Sequence, residues 1–104
     1  MKQLESKLSR NIVKGLKRAY GGFWVKLHGG PFQRSGLPDI IGLCIPPGKK
    51  RGRFFGLETK LPGEEDTLTK LQFLTLKAIS EAGGYSGVIT SLDDAKAIVD
   101  KASK

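Results

Sequence analysis

Two acidic residues and one lysine stand out because their types and spacing could bind a metal ion beside a phosphate. Glu58 and Lys60 are two residues apart in a β-type run, so their side chains point to the same face of a strand. Asp39 begins the preceding β-type run, and a hairpin of the two runs would place it beside Glu58. Neighbouring carboxylates repel each other unless a cation lies between them. The pattern therefore predicts a site for a divalent cation.

The chemistry that such a site could support follows from the ligands that the cation prefers. Mg²⁺ takes one or two protein carboxylates and completes its octahedron with water and phosphate oxygens. The backbone carbonyl of Thr59 could supply a further ligand, and Lys60 could contact a phosphate or orient the attacking water. These groups together are suited to metal-assisted hydrolysis of a phosphodiester bond.

The distribution of charge indicates the kind of phosphodiester. The 104-residue chain has 18 Lys and Arg against 10 Asp and Glu, for a net charge of +8. Up to Lys60 there are thirteen basic residues and only three acidic ones, Glu5, Asp39 and Glu58. A basic segment with so few carboxylates is typical of a surface that binds nucleic acid. The residues expected to contact the nucleic acid are Lys7, Arg10, Lys14, Lys17, Arg18, Arg34, Lys49, Lys50, Arg51 and Arg53.

Hydrophobic periodicity and turn signals predict the elements that position these residues. Apolar residues from Leu4 to Ala19 recur at helical spacing, and capping boxes at Thr69 and Ser91 predict two further helix starts. The predicted elements are a helix over 2–20, strands over 23–27, 39–45 and 53–60, a helix from 69 to 82, a strand over 85–90 and a helix from 91 to about 102. The sequence thus predicts one α/β (α+β) domain over residues 1–104.

Composition excludes several classes of protein. With one cysteine and one histidine, the chain can form neither an internal disulfide nor a zinc site of Cys and His ligands. No apolar run approaches the length of a membrane span. The first residues lack the apolar segment of a secretory signal, so we expect a cytoplasmic location.

The motif residues resemble those of the PD-(D/E)XK nucleases, in which a Pro-Asp pair precedes Glu-X-Lys. The matching residues are Pro38-Asp39 and Glu58-Thr59-Lys60. Within that superfamily the chain is similar to the virus-type replication-repair nuclease (VRR-NUC) group. This similarity includes Gly36–Gly42, Leu57–Lys60 and Leu71-Gln72, and it extends from Glu5 to Val88.

The resemblance implies a restriction-endonuclease-like αβββαβ core, with a mixed central sheet flanked by helices and an extra C-terminal helix. It implies a Mg²⁺- or Mn²⁺-dependent deoxyribonuclease of a bacterium or bacteriophage that acts in DNA repair as a homodimer. The expected substrate is branched DNA such as a Holliday junction. The implied catalytic residues are Asp39, Glu58, Lys60 and Gln72, and the implied metal ligands are Glu5, Asp39, Glu58 and the Thr59 carbonyl.

Other functions and roles stay open at this point. The domain could bind nucleic acid without catalysis, or it could be a monomeric nuclease that acts on flaps or single-strand ends. A nucleotide hydrolase is less favoured, because no glycine-rich phosphate loop precedes a helix. Gln72 could serve only as the capping partner of Thr69, and Glu5 could be only a solvated helix residue. For a dimer, the expected interface is apolar surface from Phe23, Trp24, Phe32 and Phe54. The alternative is that the core buries all four and the protein is a monomer.

Overall fold

The structure, a computed structural model, describes residues 2–28 and 34–104. It is an α+β arrangement of a four-stranded mixed sheet and three α-helices. The elements are α1 (Lys2–Tyr20), β1 (Phe23–Lys26), β2 (Ile40–Cys44), β3 (Arg53–Thr59), a 3₁₀ turn (Glu65–Thr67), α2 (Lys70–Glu81), β4 (Tyr85–Ile89) and α3 (Leu92–Ala102). This order confirms the predicted order of helices and strands, and each predicted strand end lies within one residue of the observed end.

The sheet has the order β1-β2-β3-β4. The first three strands are antiparallel, and β4 pairs with β3 in parallel. A parallel neighbour requires a crossover connection, and α2 lies in that connection. Ile40 pairs with Leu57 in the β2–β3 hairpin, so the next position along places Asp39 opposite Glu58. The predicted proximity of the two carboxylates therefore follows from the register.

One face of the sheet carries the core, on which α1 and α3 pack. Trp24, Gly42, Phe55 and Tyr85 occupy one row across the four strands on this face. The ring of Phe55 lies 5.4 Å from that of Trp24 and 5.7 Å from that of Tyr85. Gly42 is required here, because a Cβ atom on it would lie 2.1 Å from the indole of Trp24. Trp24 is only 2% exposed, so its expected place in a dimer interface is wrong.

The buried face of α1 differs from the predicted stripe at both ends. Ser9, Ile12 and Leu16 are buried, whereas Leu4 and Ala19 are exposed. Residues at steps of four drift by about 40° per step around a helix of 3.6 residues per turn, which carries Leu4 away from the core face. A serine therefore occupies a position that the apolar pattern alone would assign to a hydrophobic residue.

The start of α3 corrects one predicted capping box. The Ser91 hydroxyl accepts the backbone N–H of Asp94 at 3.1 Å, as expected. The Asp94 carboxylate does not return a bond to the Ser91 backbone; it accepts the N–H and hydroxyl of Thr90 at 2.8 and 2.9 Å. These hydrogen bonds lower the pKa of Asp94. Within residues 2–28 and 34–104, no helix is long and apolar enough to cross a membrane.

The second face of the sheet is partly open, because α2 packs over β3 and β4. Phe23, Leu43 and Phe54 form a row across β1, β2 and β3 on this face and are 61%, 51% and 42% exposed. Leu71 and Leu74 of α2 are also exposed. An apolar groove of about 520 Å³ lies between Phe54 and α2. Phe32, also expected at an interface, lies outside the described residues.

Candidate active site at the end of the β2–β3 hairpin

Asp39 lies immediately before β2 and is held by three hydrogen bonds. Its backbone carbonyl accepts the N–H of Leu27 at 2.7 Å, which continues the pairing of β1 with β2. Its Oδ1 accepts the backbone N–H of Thr59 at 2.8 Å, and its Oδ2 accepts the hydroxyl of Ser9 at 2.7 Å. The carboxylate is therefore fixed from β3 on one side and from α1 on the other.

Glu58 is the penultimate residue of β3, and its carboxylate is nearly inaccessible to solvent. Its Oε2 accepts the side-chain N–H of Gln72 at 3.2 Å and lies 3.9 Å from the Nζ of Lys60. Its Oε1 is buried and has no hydrogen-bond partner among residues 2–28 and 34–104. Lys60 is itself buried. One carboxylate oxygen at the centre of the site thus has an unused lone-pair direction.

The electrostatic balance of the site shows in the pKa of Glu58. Burial raises this pKa from 4.5 to about 7, and the charge of Asp39 adds to the rise. The ammonium of Lys60 and the backbone N–H of Asp39 lower the pKa in part, and Glu5 contributes a small further increase. One lysine therefore does not compensate for two carboxylates in a dry environment. A divalent cation would remove this deficit of positive charge.

Gln72 forms the predicted capping box and also contacts Glu58, while its catalytic role stays a prediction. Its side-chain Oε1 accepts the backbone N–H of Thr69 at 3.0 Å. Its backbone N–H donates to the Thr69 hydroxyl at 3.1 Å, and the two bonds complete the capping box. The Nε2 of the same amide donates to Glu58. The first turn of α2 is thus anchored to the candidate active site through one side chain.

Ser9 is a member of the site that the sequence analysis missed. Its side chain is fully buried, and it contacts Asp39 across 30 residues of sequence. The feature of the sequence that could have identified Ser9 is a polar residue on the buried face of α1, three positions before Ile12. A serine on an apolar helix face needs a hydrogen-bond partner, and the partner here is a candidate metal ligand.

Glu5 lies one helical turn before Ser9 and is half-buried. Among the contributions to the pKa of Glu58, the one from the charge of Glu5 is the smallest. Within residues 2–28 and 34–104, no three His, Cys, Asp or Glu side chains form a group able to hold a metal ion. The roles of Glu5 and of the Thr59 carbonyl as ligands therefore stay predictions.

The residues that are present fit a divalent cation of the Mg²⁺ type. Asp39 and Glu58 provide two carboxylates, which is the protein share that Mg²⁺ commonly takes. A divalent cation would give the unpartnered Oε1 of Glu58 a partner and would oppose the burial and the Asp39 charge that raise the pKa of this carboxyl. The donor set is composed of oxygen atoms, as a hard cation requires.

The basic residues fall into two groups at different distances from the site. The α1 group is exposed and follows one solvent-facing stripe of roughly 17 Å on the side of the helix away from the buried Ser9: Lys7, Arg10, Lys14, Lys17 and Arg18. The hairpin group lies at the opposite end of β2 and β3, roughly 17 Å from Glu58 along the strand: Lys49, Lys50, Arg51 and Arg53. Arg34 borders the apolar groove.

Comparison with known proteins leaves the relationship open. No protein-family model, characterised protein or solved structure matches this chain. The similarity to PD-(D/E)XK and VRR-NUC nucleases therefore stays a prediction made from the motif residues. The structure brings Asp39, Glu58, Lys60 and Gln72 together and leaves the hairpin tip outside that cluster.

We expect Glu58→Gln to raise the free energy of unfolding above pH 7 and to change it little at pH 5. The folded protein holds a proton on Glu58 up to about pH 7, whereas the unfolded chain releases it near pH 4.5. Stability of the unsubstituted protein therefore falls as pH rises through this window. Glutamine keeps the shape of glutamate without its charge, so at pH 8 the free energy of unfolding should rise by roughly 1–3 kcal/mol. Urea unfolding in metal-free buffer measures this free energy at each pH.

The matched control is Glu81→Gln, which removes an exposed carboxylate from α2. It should show no pH-dependent gain. An equal gain for Glu58→Gln at pH 5 and pH 8 would contradict the assignment of the effect to a buried charge.

Proposed function

We propose that this chain is a Mg²⁺- or Mn²⁺-dependent endonuclease that cuts branched DNA such as four-way (Holliday) junctions. The observation that supports it is the buried carboxylate of Glu58, which lies beside Asp39 and Lys60 and has one unpartnered oxygen. Two carboxylates and a lysine at the end of a hairpin are the residue types that metal-assisted phosphodiester hydrolysis requires. We place this activity in DNA repair, in the cytoplasm of a bacterial or phage-infected cell.

Each residue of the site has a defined task in this proposal. Asp39 and Glu58 would hold the cation, which would stabilise the negative charge that develops on the phosphate. Lys60 would contact a phosphate oxygen or orient the attacking water, while Gln72 fixes the carboxylate of Glu58. The water oxygen forms a new bond to phosphorus, one bridging P–O bond breaks, and the leaving oxygen takes up a proton.

A nucleic-acid substrate is favoured by the position of the α1 stripe of basic residues. The stripe covers the exposed side of α1, the helix whose buried side contacts Asp39 through Ser9. Its length of roughly 17 Å matches about five phosphates of one DNA strand. A small nucleotide would not need cations so far from the reacting phosphate. A polymer that passes over α1 would use them all.

Catalysis is favoured over binding alone by the energetic cost of the site. A domain that only holds a DNA backbone needs exposed cations and gains nothing from a buried carboxylate pair. Glu58 and Asp39 instead raise the electrostatic energy of the folded state, and no catalytic position of the motif is replaced. Residues that reduce stability in this way are typical of active sites.

The proposed working unit is a homodimer, because resolution of a four-way junction needs two paired cuts. A two-fold axis would place two identical sites symmetrically. The surface that we assign to this contact is the open second face of the sheet, where Phe23, Leu43 and Phe54 lie beside the apolar groove. Aromatic residues are enriched in interface cores, and isolated domains rarely expose such a contiguous apolar surface.

Alanine at Asp39, Glu58 or Lys60 should abolish cleavage and leave DNA binding largely intact. Loss of about 4 kcal/mol of transition-state stabilisation slows the reaction on the order of a thousandfold. Binding affinity, measured in EDTA, should survive because the basic residues supply it. Cleavage rates on duplex, flap, fork and four-way junction substrates provide the readout. Glu5→Ala should have a smaller effect.

Lys77→Ala is the matched control for this series, since it removes an exposed cation from α2. It should cut at the rate of the unsubstituted protein. Full activity of Asp39→Ala would refute the assignment of the site, and equal rates on all four substrates would refute the preference for branched DNA.

Replacement of Lys49, Lys50 and Arg51 by alanine should flatten the salt dependence of DNA binding. Each lost phosphate contact on duplex DNA reduces the slope of log K against log salt by about 0.9. The same experiment with Arg10, Lys14 and Lys17 tests the α1 stripe. Fluorescence anisotropy across a salt series measures both slopes.

The control for this comparison removes an equal charge from the C-terminal region of the chain, at Lys96, Lys101 and Lys104. Its slope should stay close to that of the unsubstituted protein. If the hairpin variant also keeps its slope, the DNA does not reach the hairpin tip.

The unsubstituted protein should sediment as a dimer of the 11.3 kDa chain, and Leu43→Glu should sediment as a monomer. Leu43 is half-exposed at the centre of the open face, so a carboxylate there opposes association without a void in the core. Leu4→Glu places the same change on an exposed leucine of α1 and should remain dimeric. An unsubstituted monomer that still makes paired cuts in a four-way junction would contradict the dimer.

A further inference from the structure

Ser9 is the only residue of α1 that contacts a candidate metal ligand through a side-chain hydrogen bond within the described part of the chain. Its hydroxyl donates to Oδ2 of Asp39 at 2.7 Å. The side chain is fully buried among the apolar residues of the α1 face, next to Ile12 in the helical pattern. The bond therefore links the main core helix to the start of β2.

A serine at this position has a cost that its bond to Asp39 explains. A buried hydroxyl without a partner costs about 1–3 kcal/mol in proteins. Alanine would fill the position with higher helix propensity and no polar group to satisfy. A helical serine commonly returns its hydroxyl to the carbonyl four residues earlier, whereas this one donates to a side chain of another element.

The two hydrogen bonds on Asp39 together determine how its carboxylate is presented. Oδ1 accepts the backbone N–H of Thr59, and Oδ2 accepts the hydroxyl of Ser9. With one bond on each oxygen, the carboxylate cannot rotate about its χ2 bond without breaking one of them. Each oxygen retains a second lone pair with which to bind a cation. Without the Ser9 hydroxyl, the orientation of the Asp39 carboxylate would depend on one hydrogen bond, from the backbone N–H of Thr59.

From this arrangement we infer that Ser9 is a positioning residue, which orients the Asp39 carboxylate for binding of the divalent cation. The inference rests on the proposed function, because it assumes a cation at Asp39 and Glu58. Groups that hold a metal ligand in place commonly change metal affinity or activity by about 10–100-fold when they are removed.

The test is a Mn²⁺ titration of the DNA-free protein, followed by water-proton relaxation, for Ser9→Ala, Asp39→Ala and the unsubstituted chain. Ser9→Ala should bind Mn²⁺ about tenfold more weakly, and Asp39→Ala more weakly still. Junction cleavage by Ser9→Ala should recover toward the unsubstituted rate at saturating Mn²⁺, at unchanged DNA affinity. A residue that acted only in folding would lower the melting temperature without this shift in metal dependence.

Ser6→Ala is the matched control. It removes a hydroxyl from the same helix, and within the described residues this hydroxyl accepts one side-chain hydrogen bond, from Arg10. It should bind Mn²⁺ as the unsubstituted protein does. Ser9→Cys keeps a similar volume with a weak S–H donor, so its Mn²⁺ affinity should fall between those of serine and alanine. This variant decides the question if the alanine variant does not fold.

The outcomes separate the inference from the function on which it rests. Unchanged Mn²⁺ affinity in Ser9→Ala or Ser9→Cys, together with weakened binding in Asp39→Ala, would overturn the positioning role and leave the nuclease proposal intact. Unchanged Mn²⁺ affinity in Asp39→Ala would overturn both, because no cation would then bind at the proposed site.

Discussion

The burial of Glu58 beside Asp39 is the constraint around which the rest of the molecule is arranged. Two carboxylates share the end of a hairpin where solvent screening is weak, and burial with this second charge raises the pKa of Glu58 to about 7. Three elements donate side-chain or backbone hydrogen bonds to the pair: α1 through Ser9, β3 through Thr59 and α2 through Gln72. The fold holds in place a charge arrangement that opposes folding.

This arrangement explains why helices from both sides of the sheet meet at one end of the hairpin. Asp39 accepts a hydrogen bond from Ser9 of α1, which packs on the core face. Glu58 accepts one from Gln72 of α2, which packs on the other face. A site built between two helical layers is held rigidly, because each carboxylate is tied to an element that is itself anchored in packing. Rigid placement is what a metal-assisted reaction requires, since misplacement of about 1 Å can cost a large factor in rate.

The parts of this structure that the sequence predicted depend on local periodicity and on adjacent strands. Alternation within a strand places Glu58 and Lys60 on one face, and a hairpin places Asp39 beside them, so the core of the site could be read from spacing. Ser9 could not, because its contact with Asp39 joins residues 30 positions apart in sequence through the packing of α1 on the sheet. The sequence could not decide between core and interface for Trp24 for a similar reason, since its burial depends on the space left by Gly42 of the neighbouring strand.

The same sheet explains how the site and the open apolar face can coexist in a small chain. Phe55 and Leu57 of β3 point into the core, whereas Phe54 and Glu58 point to the opposite face. Along that second face the strand changes from an exposed aromatic residue at one end to a buried carboxylate at the other, because α2 lies over part of it. One strand therefore serves the core, the candidate active site and the proposed subunit contact. A partner docked on Phe54 would contact the same strand that holds Glu58, roughly 13 Å from that carboxylate along β3.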